Sequence, residues 1–139
     1  MNLRTNVKIP LCLLLACAIT ASAQLTVTVS PVKIIGQKAV VTLAMTNKLA
    51  DKVESARAVV FLLDDKGKMV GQSTKWVIGG MKNRPALGPK GKTTFNFVIT
   101  TPQSFSSTNL TAKVSFNRLL LAGDKLADPR TNLQIQNTK

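Results

Sequence analysis

The chain contains no histidine and no tyrosine, and only two cysteines, one tryptophan and six acidic residues among its 139 positions. Each shortage removes a chemistry. Without histidine or tyrosine the usual general bases and imidazole metal ligands are missing. Both cysteines, Cys12 and Cys17, precede a predicted cleavage site, so a chain cut there has no thiol nucleophile and no disulfide. Packing alone must hold it together. No apolar run reaches the roughly 20 residues needed to span a bilayer as a helix.

The first 23 residues read as an export signal. Arg4 and Lys8 supply a short basic segment, Ile9 to Thr20 is apolar, and Ala21-Ser22-Ala23 has the small-x-small pattern that signal peptidase accepts. The expected organisation is a signal peptide over 1–23 and one domain over 24–139, exported to the periplasm or secreted. A second reading stays open: Leu14-Leu15-Ala16-Cys17 resembles a lipobox, and cleavage before Cys17 would give a lipid-anchored form. A single domain of this size buries about two-thirds of its unfolded surface, enough for one core.

Beyond the leader the pattern is strands and turns. Leu25 to Ser30 alternates apolar and polar residues, as does Lys38 to Thr46 with Val41, Leu43 and Met45 in one phase. Asn47 to Ser55 is polar and reads as a connection. Arg57 to Leu63 is apolar in both phases, as expected of a central strand covered on both sides. Asp64-Asp65-Lys66-Gly67 supplies turn residues, and a strand over about Lys68 to Val77 should return from it. Gly79 to Gly91, with Pro85 and Pro89, is the longest irregular segment. Phe95, Phe97 and Ile99 alternate with polar residues, and so do Leu110, Ala112, Val114 and Phe116. Thr131 to Ile135 has the composition of a last edge strand. No sustained helical period appears, so the prediction is an all-β sandwich of about seven strands or a small barrel.

Phe61-Leu62-Leu63-Asp64-Asp65, followed by Gly67 and Val70, resembles the motif of FxLYD-type domains, with Asp64 where that family usually has tyrosine. Leu87-Gly88-Pro89-Lys90-Gly91 leading into Phe95 and Phe97 is similar to the family's proline-glycine turn and following strand. The resemblance covers roughly 40–116. It implies an immunoglobulin-like antiparallel β-sandwich in an exported bacterial protein, without catalytic residues.

Two motifs point to chemistry and fail on context. Ala86 to Thr93 satisfies the loose form of a phosphate-binding loop, but a strand follows it where the loop's mechanism requires a helix N-terminus. Asp64 and Asp65 could pair for acid-base work or calcium, but adjacent residues on a strand face opposite ways, and Lys66 and Lys68 would compete with a cation. They read as turn formers. No enzyme chemistry and no cofactor are expected.

What the chain has in excess is positive charge. Without Arg4 and Lys8, 17 basic residues stand against 6 acidic, a net charge of +11. No acidic residue occurs between Lys66 and Gly123. Lys82, Arg84, Lys90 and Lys92 crowd the Gly/Pro segment, and Lys75 and Trp76 lie just before it. A flexible cationic loop on a rigid sandwich suits an anionic envelope polymer. Nucleic acid is disfavoured, since base stacking needs exposed aromatics and Phe95, Phe97 and Phe116 occupy the apolar phase of strands. The rival expectation is a structural or assembly protein whose doubly apolar strand at 57–63 presents a sheet face to another protein. The charge then serves solubility alone. The sequence leaves the oligomeric state open.

Overall fold

The computed structural model describes residues 23–102, 104–105 and 108–138. The expected leader, with Cys12 and Cys17, lies outside the described residues except for Ala23.

Alternation sets the strands. In β1 (Leu25–Val29), Leu25, Val27 and Val29 turn inward and are almost fully enclosed. β2 (Lys33–Ile35) continues that line along β3 (Lys38–Asn47): Val29 faces Leu43 and Lys33 faces Val40. Three residues thus oppose two, a bulge in which Pro31 needs no amide partner. Ser30 holds it, its hydroxyl accepting from the Thr42 N–H at 2.9 Å.

The chain then crosses to β4 (Val53–Leu63), turns into β5 (Met69–Ile78) and recrosses to β6 (Lys92–Thr100). It crosses again to β7 (Thr111–Leu121), which pairs with the short β8 (Lys125–Leu126). A one-turn helix, α1 (Pro129–Asn132), delivers it to β9 (Leu133–Asn137). One sheet runs β9-β1-β3-β6, with β2 beside β3 at the end of β1, and the other runs β5-β4-β7-β8. With β1, β3 and β6 as strands A, B and E and β5, β4, β7 and β8 as C′, C, F and G, this is the immunoglobulin order.

Among the described residues the strand count rises from the expected seven to nine for two reasons. A bulge divides the first strand, and the last strand changes sheets, so that β8 pairs with β7 while β9 lies parallel to β1. The sandwich is therefore not purely antiparallel. The turn that makes the switch was not foreseen: Asp128 caps α1, its carboxylate accepting from the Arg130 N–H at 2.9 Å, and Pro129 opens the helix. Those N–H bonds, with the Arg130 charge, hold the Asp128 carboxyl below the ordinary carboxylate value. The depressed value means that the cap is present at neutral pH and is lost as pH falls through it. An NMR titration of the Asp128 carboxyl carbon should show a midpoint below the usual one. In Arg130→Gly the side-chain contribution disappears and the midpoint rises.

The core lies between the sheets. Val27, Val41, Leu43 and Phe97 come from one side, and Ala58, Val60, Leu62, Val114, Phe116 and Leu119 from the other, all buried. The described residues contain no cysteine, so no disulfide joins the sheets there. The reading of β4 as covered on both sides needs correction. Only the Ala58, Val60 and Leu62 phase is enclosed, whereas Val59, Phe61 and Leu63 face outward and are half-buried. Their partial cover comes from cross-strand neighbours: Thr74 and Ser115 beside Val59, Gln72 and Lys113 beside Phe61, Met69 and Thr111 beside Leu63.

Asp64 closes the β4–β5 hairpin. Its Oδ1 accepts from the Lys66 N–H at 2.9 Å and the Lys68 N–H at 2.8 Å. The carboxylate that might have held a cation is thereby used inside the turn. Asp64→Ala should lower stability by about 1 kcal/mol, read as a shift of the urea midpoint with an unchanged slope.

Candidate anionic-ligand surface

The connection from β5 to β6 carries most of the candidate cations, and it is not the flexible arm expected from its glycines and prolines. Leu87 bridges to Val53, N–H to C=O in both directions at 2.9 Å. The Gly79 N–H donates to the Pro85 carbonyl at 3.2 Å, and the Arg84 N–H to the Met81 carbonyl at 3.1 Å. At the far end, the Lys90 N–H donates to the Asn47 carbonyl at 2.7 Å and the Asn47 N–H to the Gly91 carbonyl at 2.9 Å.

Asn47 is the anchor. It is fully buried, its Nδ2 donates to the carbonyls of Asp51 and Leu87 at 3.0 Å each, and its Oδ1 accepts from the Leu49 N–H at 2.9 Å. One side chain therefore ties the β3–β4 connection to the β5–β6 connection. Lys90 is held at a φ of 63°, a left-handed conformation that a lysine keeps only where its surroundings impose it.

The candidate residues do not form one patch. Lys82, Lys90 and Lys92 are exposed, and among the described residues none of them, nor Lys75, has an ion-pair partner. Lys92 pairs with Thr46 at the entrance of β6. Arg84 lies back on the sandwich, its guanidinium carbon 4.5 Å from the centre of the Phe95 ring. A guanidinium stacked in this way keeps its N–H edge free for phosphate or carboxylate while its face is satisfied.

Lys75 and Trp76 part company, because Lys75 is opposite Ala58 and Trp76 opposite Arg57 on β4, and successive residues leave a strand on opposite faces. Lys75 opens at the sheet edge, whereas Trp76 joins the outward face of the β5-β4-β7-β8 sheet. There Trp76 is half-buried against Gly80, where a β-carbon would come within 2.4 Å of its ring. Arg57 stacks on the indole at 5.2 Å from the ring centre, and its Nε donates to Asn117 Oδ1 at 2.8 Å.

The sequence reading missed Arg57, Asn117 and Arg118 as members of this surface. A signal existed in the phase of β4, where Arg57 is the one cation in a series otherwise made of Val59, Phe61 and Leu63. Its partners could not be read, because they depend on register shifts beside Arg57 against both neighbouring strands. Ser30-Pro31-Val32-Lys33 has the Ser-x-x-Lys spacing of some serine nucleophiles. In the fold the Ser30 hydroxyl serves the β1–β2 bulge.

Among the described residues no group of three acidic, cysteine or histidine side chains is placed to hold a metal ion, and no helix is long and apolar enough to cross a membrane. Comparison of the chain with family models, with curated proteins and with solved structures returned no match.

Proposed function

We propose that this chain is an exported, non-catalytic binding module of the cell envelope whose β5–β6 connection holds an anionic polymer. The observation that supports it most is the fixed presentation of charge: Lys82, Arg84, Lys90 and Lys92 sit on one hydrogen-bonded connection, without acidic partners among the described residues. Charge on a loop already ordered binds without a large ordering cost. Export is consistent with the start of the fold, since β1 begins at Leu25, one residue past the expected cut. The mass of the mature N-terminus distinguishes a free chain beginning at Gln24 from one lipidated at Cys17.

The test is binding to immobilised lipopolysaccharide and to polyphosphate across a salt series. If four cations meet phosphates, affinity should fall roughly a hundredfold between 50 and 200 mM salt. Replacing Lys82, Arg84, Lys90 and Lys92 with glutamine should remove both the binding and its salt dependence, with the unfolding midpoint showing that the fold is retained. Binding that ignores salt, or survives the fourfold variant, overturns the proposal. Salt-insensitive capture of one envelope protein would favour the second reading, an assembly protein docking through the outward Val59, Phe61 and Leu63 face. That reading is supported by the half-buried state of these three residues.

A further inference from the structure

A sandwich has edges, and an edge strand offers unpaired backbone groups to any chain that can align with it. Most edges here are blunted. β8 is two residues long, β9 is five, and β5 is interrupted by two register shifts and by Gly71. β6 differs from all of these. Its nine residues pair with β3 in one unbroken register from Lys38↔Thr100 to Thr46↔Lys92, and among the described residues no strand is hydrogen-bonded to its other side, although β5 of the facing sheet comes close at Gly71 and Ile99.

The hydrogen-bond phase can be assigned. The Asn47 N–H reaches the Gly91 carbonyl, and the Thr101 N–H reaches the Gln37 carbonyl, so odd-numbered residues of this segment exchange their bonds with β3. The amides and carbonyls of Thr94, Asn96 and Val98 therefore point away from the sheet. From Thr93 to Thr100 the strand has no charge, no proline and no glycine, only β-branched and aromatic residues with one asparagine. Such an edge has none of the usual protection against pairing.

We propose that β6 pairs antiparallel with β6 of a second copy of this chain, about a two-fold axis at Asn96. The register is self-complementary. Thr94 faces the second copy's Val98, Lys92 faces its Thr100, and the outward backbone groups of both strands meet in phase. No cation faces a cation across the junction. On the inner side, Phe95 of one copy comes beside Phe97 of the other. Phe95 is only partly buried in the single chain, where it packs edge-on against Phe97 at 5.1 Å and carries the Arg84 guanidinium over its ring, and the second copy adds contact where these two leave it exposed. The result is one continuous sheet through both sandwiches. The pairing rests on backbone groups of β6 and not on the proposed ligand's contacts, although Lys92 and the Phe95 ring under Arg84 border both surfaces.

Sedimentation velocity of the purified chain over a concentration series tests it. The expected result is a monomer–dimer equilibrium that tightens as salt rises, because screening relieves the repulsion between two strongly basic copies. This sign is opposite to that expected for polymer binding. Val98→Pro removes an amide that donates to nothing in the single chain, and should raise the dimer dissociation constant at least tenfold while leaving the β3–β6 ladder whole. Asn96→Lys should do the same by setting two lysines on the axis, and serves if the proline variant does not fold. Amide exchange at 94, 96 and 98 should slow with protein concentration. A single monomeric species at every concentration overturns the proposal, as does a dimer indifferent to both substitutions or exchange at these amides independent of concentration. Failure here leaves the anionic-ligand proposal standing.

Discussion

Asn47→Ala should cost about 3–5 kcal/mol, a large fraction of the stability of a domain this size. The substitution removes no bulky apolar group. It strands the N–H of Leu49 and takes the side-chain donor from the carbonyls of Asp51 and Leu87, of which the Leu87 carbonyl keeps the Val53 N–H at 2.9 Å. Asn47 is fully buried, and the bonds to the Leu87 carbonyl and from the Leu49 N–H are closed to water, while the one to the Asp51 carbonyl is partly open. Urea denaturation reads the loss directly. Limited proteolysis reads its location, with cleavage expected first between Gly79 and Gly91, since that connection loses the side-chain tie from β3 to Leu87 and keeps only the backbone bonds at Lys90 and Gly91. A diagnostic companion is Asn47→Asp, which points a carboxylate at two carbonyl oxygens. Burial and those oxygens favour its neutral form, so its folded value lies above the unfolded one near 3.9. Stability is then greatest at low pH and falls as pH rises through the raised value, the opposite of ordinary acid unfolding. A stability of N47D that is flat between pH 4 and 7 would show that Asn47 is not enclosed as described.

The second large effect is expected at Gly79. Its φ is +53°, and a β-carbon there would lie 1.8 Å from the Glu54 carbonyl oxygen and 2.9 Å from its carbonyl carbon. Both obstacles are backbone of β4, which is held between β5 and β7 and cannot give way like the end of a flexible side chain. Gly79→Ala therefore combines left-handed strain of about 1–2 kcal/mol with displacement of a central strand, and should cost about 4 kcal/mol or more. Gly88→Ala in the same connection is the control. Nothing lies within 4 Å of its β-carbon, and the change should stay within about 0.5 kcal/mol. Equal losses at the two positions would mean that the connection is not seated against β4.

The two substitutions also bear on function. The Asn47 side chain holds the Leu87 carbonyl in the segment that carries Arg84 and Lys90, so an Asn47 variant that still folds should bind anionic polymer more weakly than its intact charge would suggest. Side chains that are positioned in advance lose less freedom on binding.

Much of this architecture was legible because exposure alternates along a half-buried strand. Leu25 to Val29, Lys38 to Asn47 and Thr111 to Phe116 announced both their existence and their inward faces. β4 was legible as a strand but not in its covering. Apolar residues in both phases suit a strand with layers on both sides, and equally a central strand whose outward side chains are shaded by long neighbours such as Gln72, Lys113 and Trp76. The difference lies in pairing, which local sequence does not encode. β2 and β8 were too short to show a period, the last strand was expected two residues early at Thr131, where α1 still runs, and the sheet change through α1 depends on one aspartate cap.

The site was legible as composition and not as geometry. The cations of the β5–β6 connection stood out by the lack of acids around them. That the connection is rigid follows from Asn47, 40 residues before Leu87, which the sequence suggested only as the start of a polar link. That Trp76 belongs with Arg57 and not with Lys75 follows from cross-strand register.

The parallel contact of β1 with β9 has a mechanical meaning. Leu25 lies beside Leu133 and Val29 beside Asn137, and the contact continues where the Thr138 N–H bonds to the Val29 carbonyl at 2.9 Å. A pull that separates the two ends of the folded chain drags these strands past each other lengthwise. Their bonds are then loaded together in shear and do not open one at a time like a zipper. The strand that changes sheets thus acts as a clasp, closing the first element of the fold with the last.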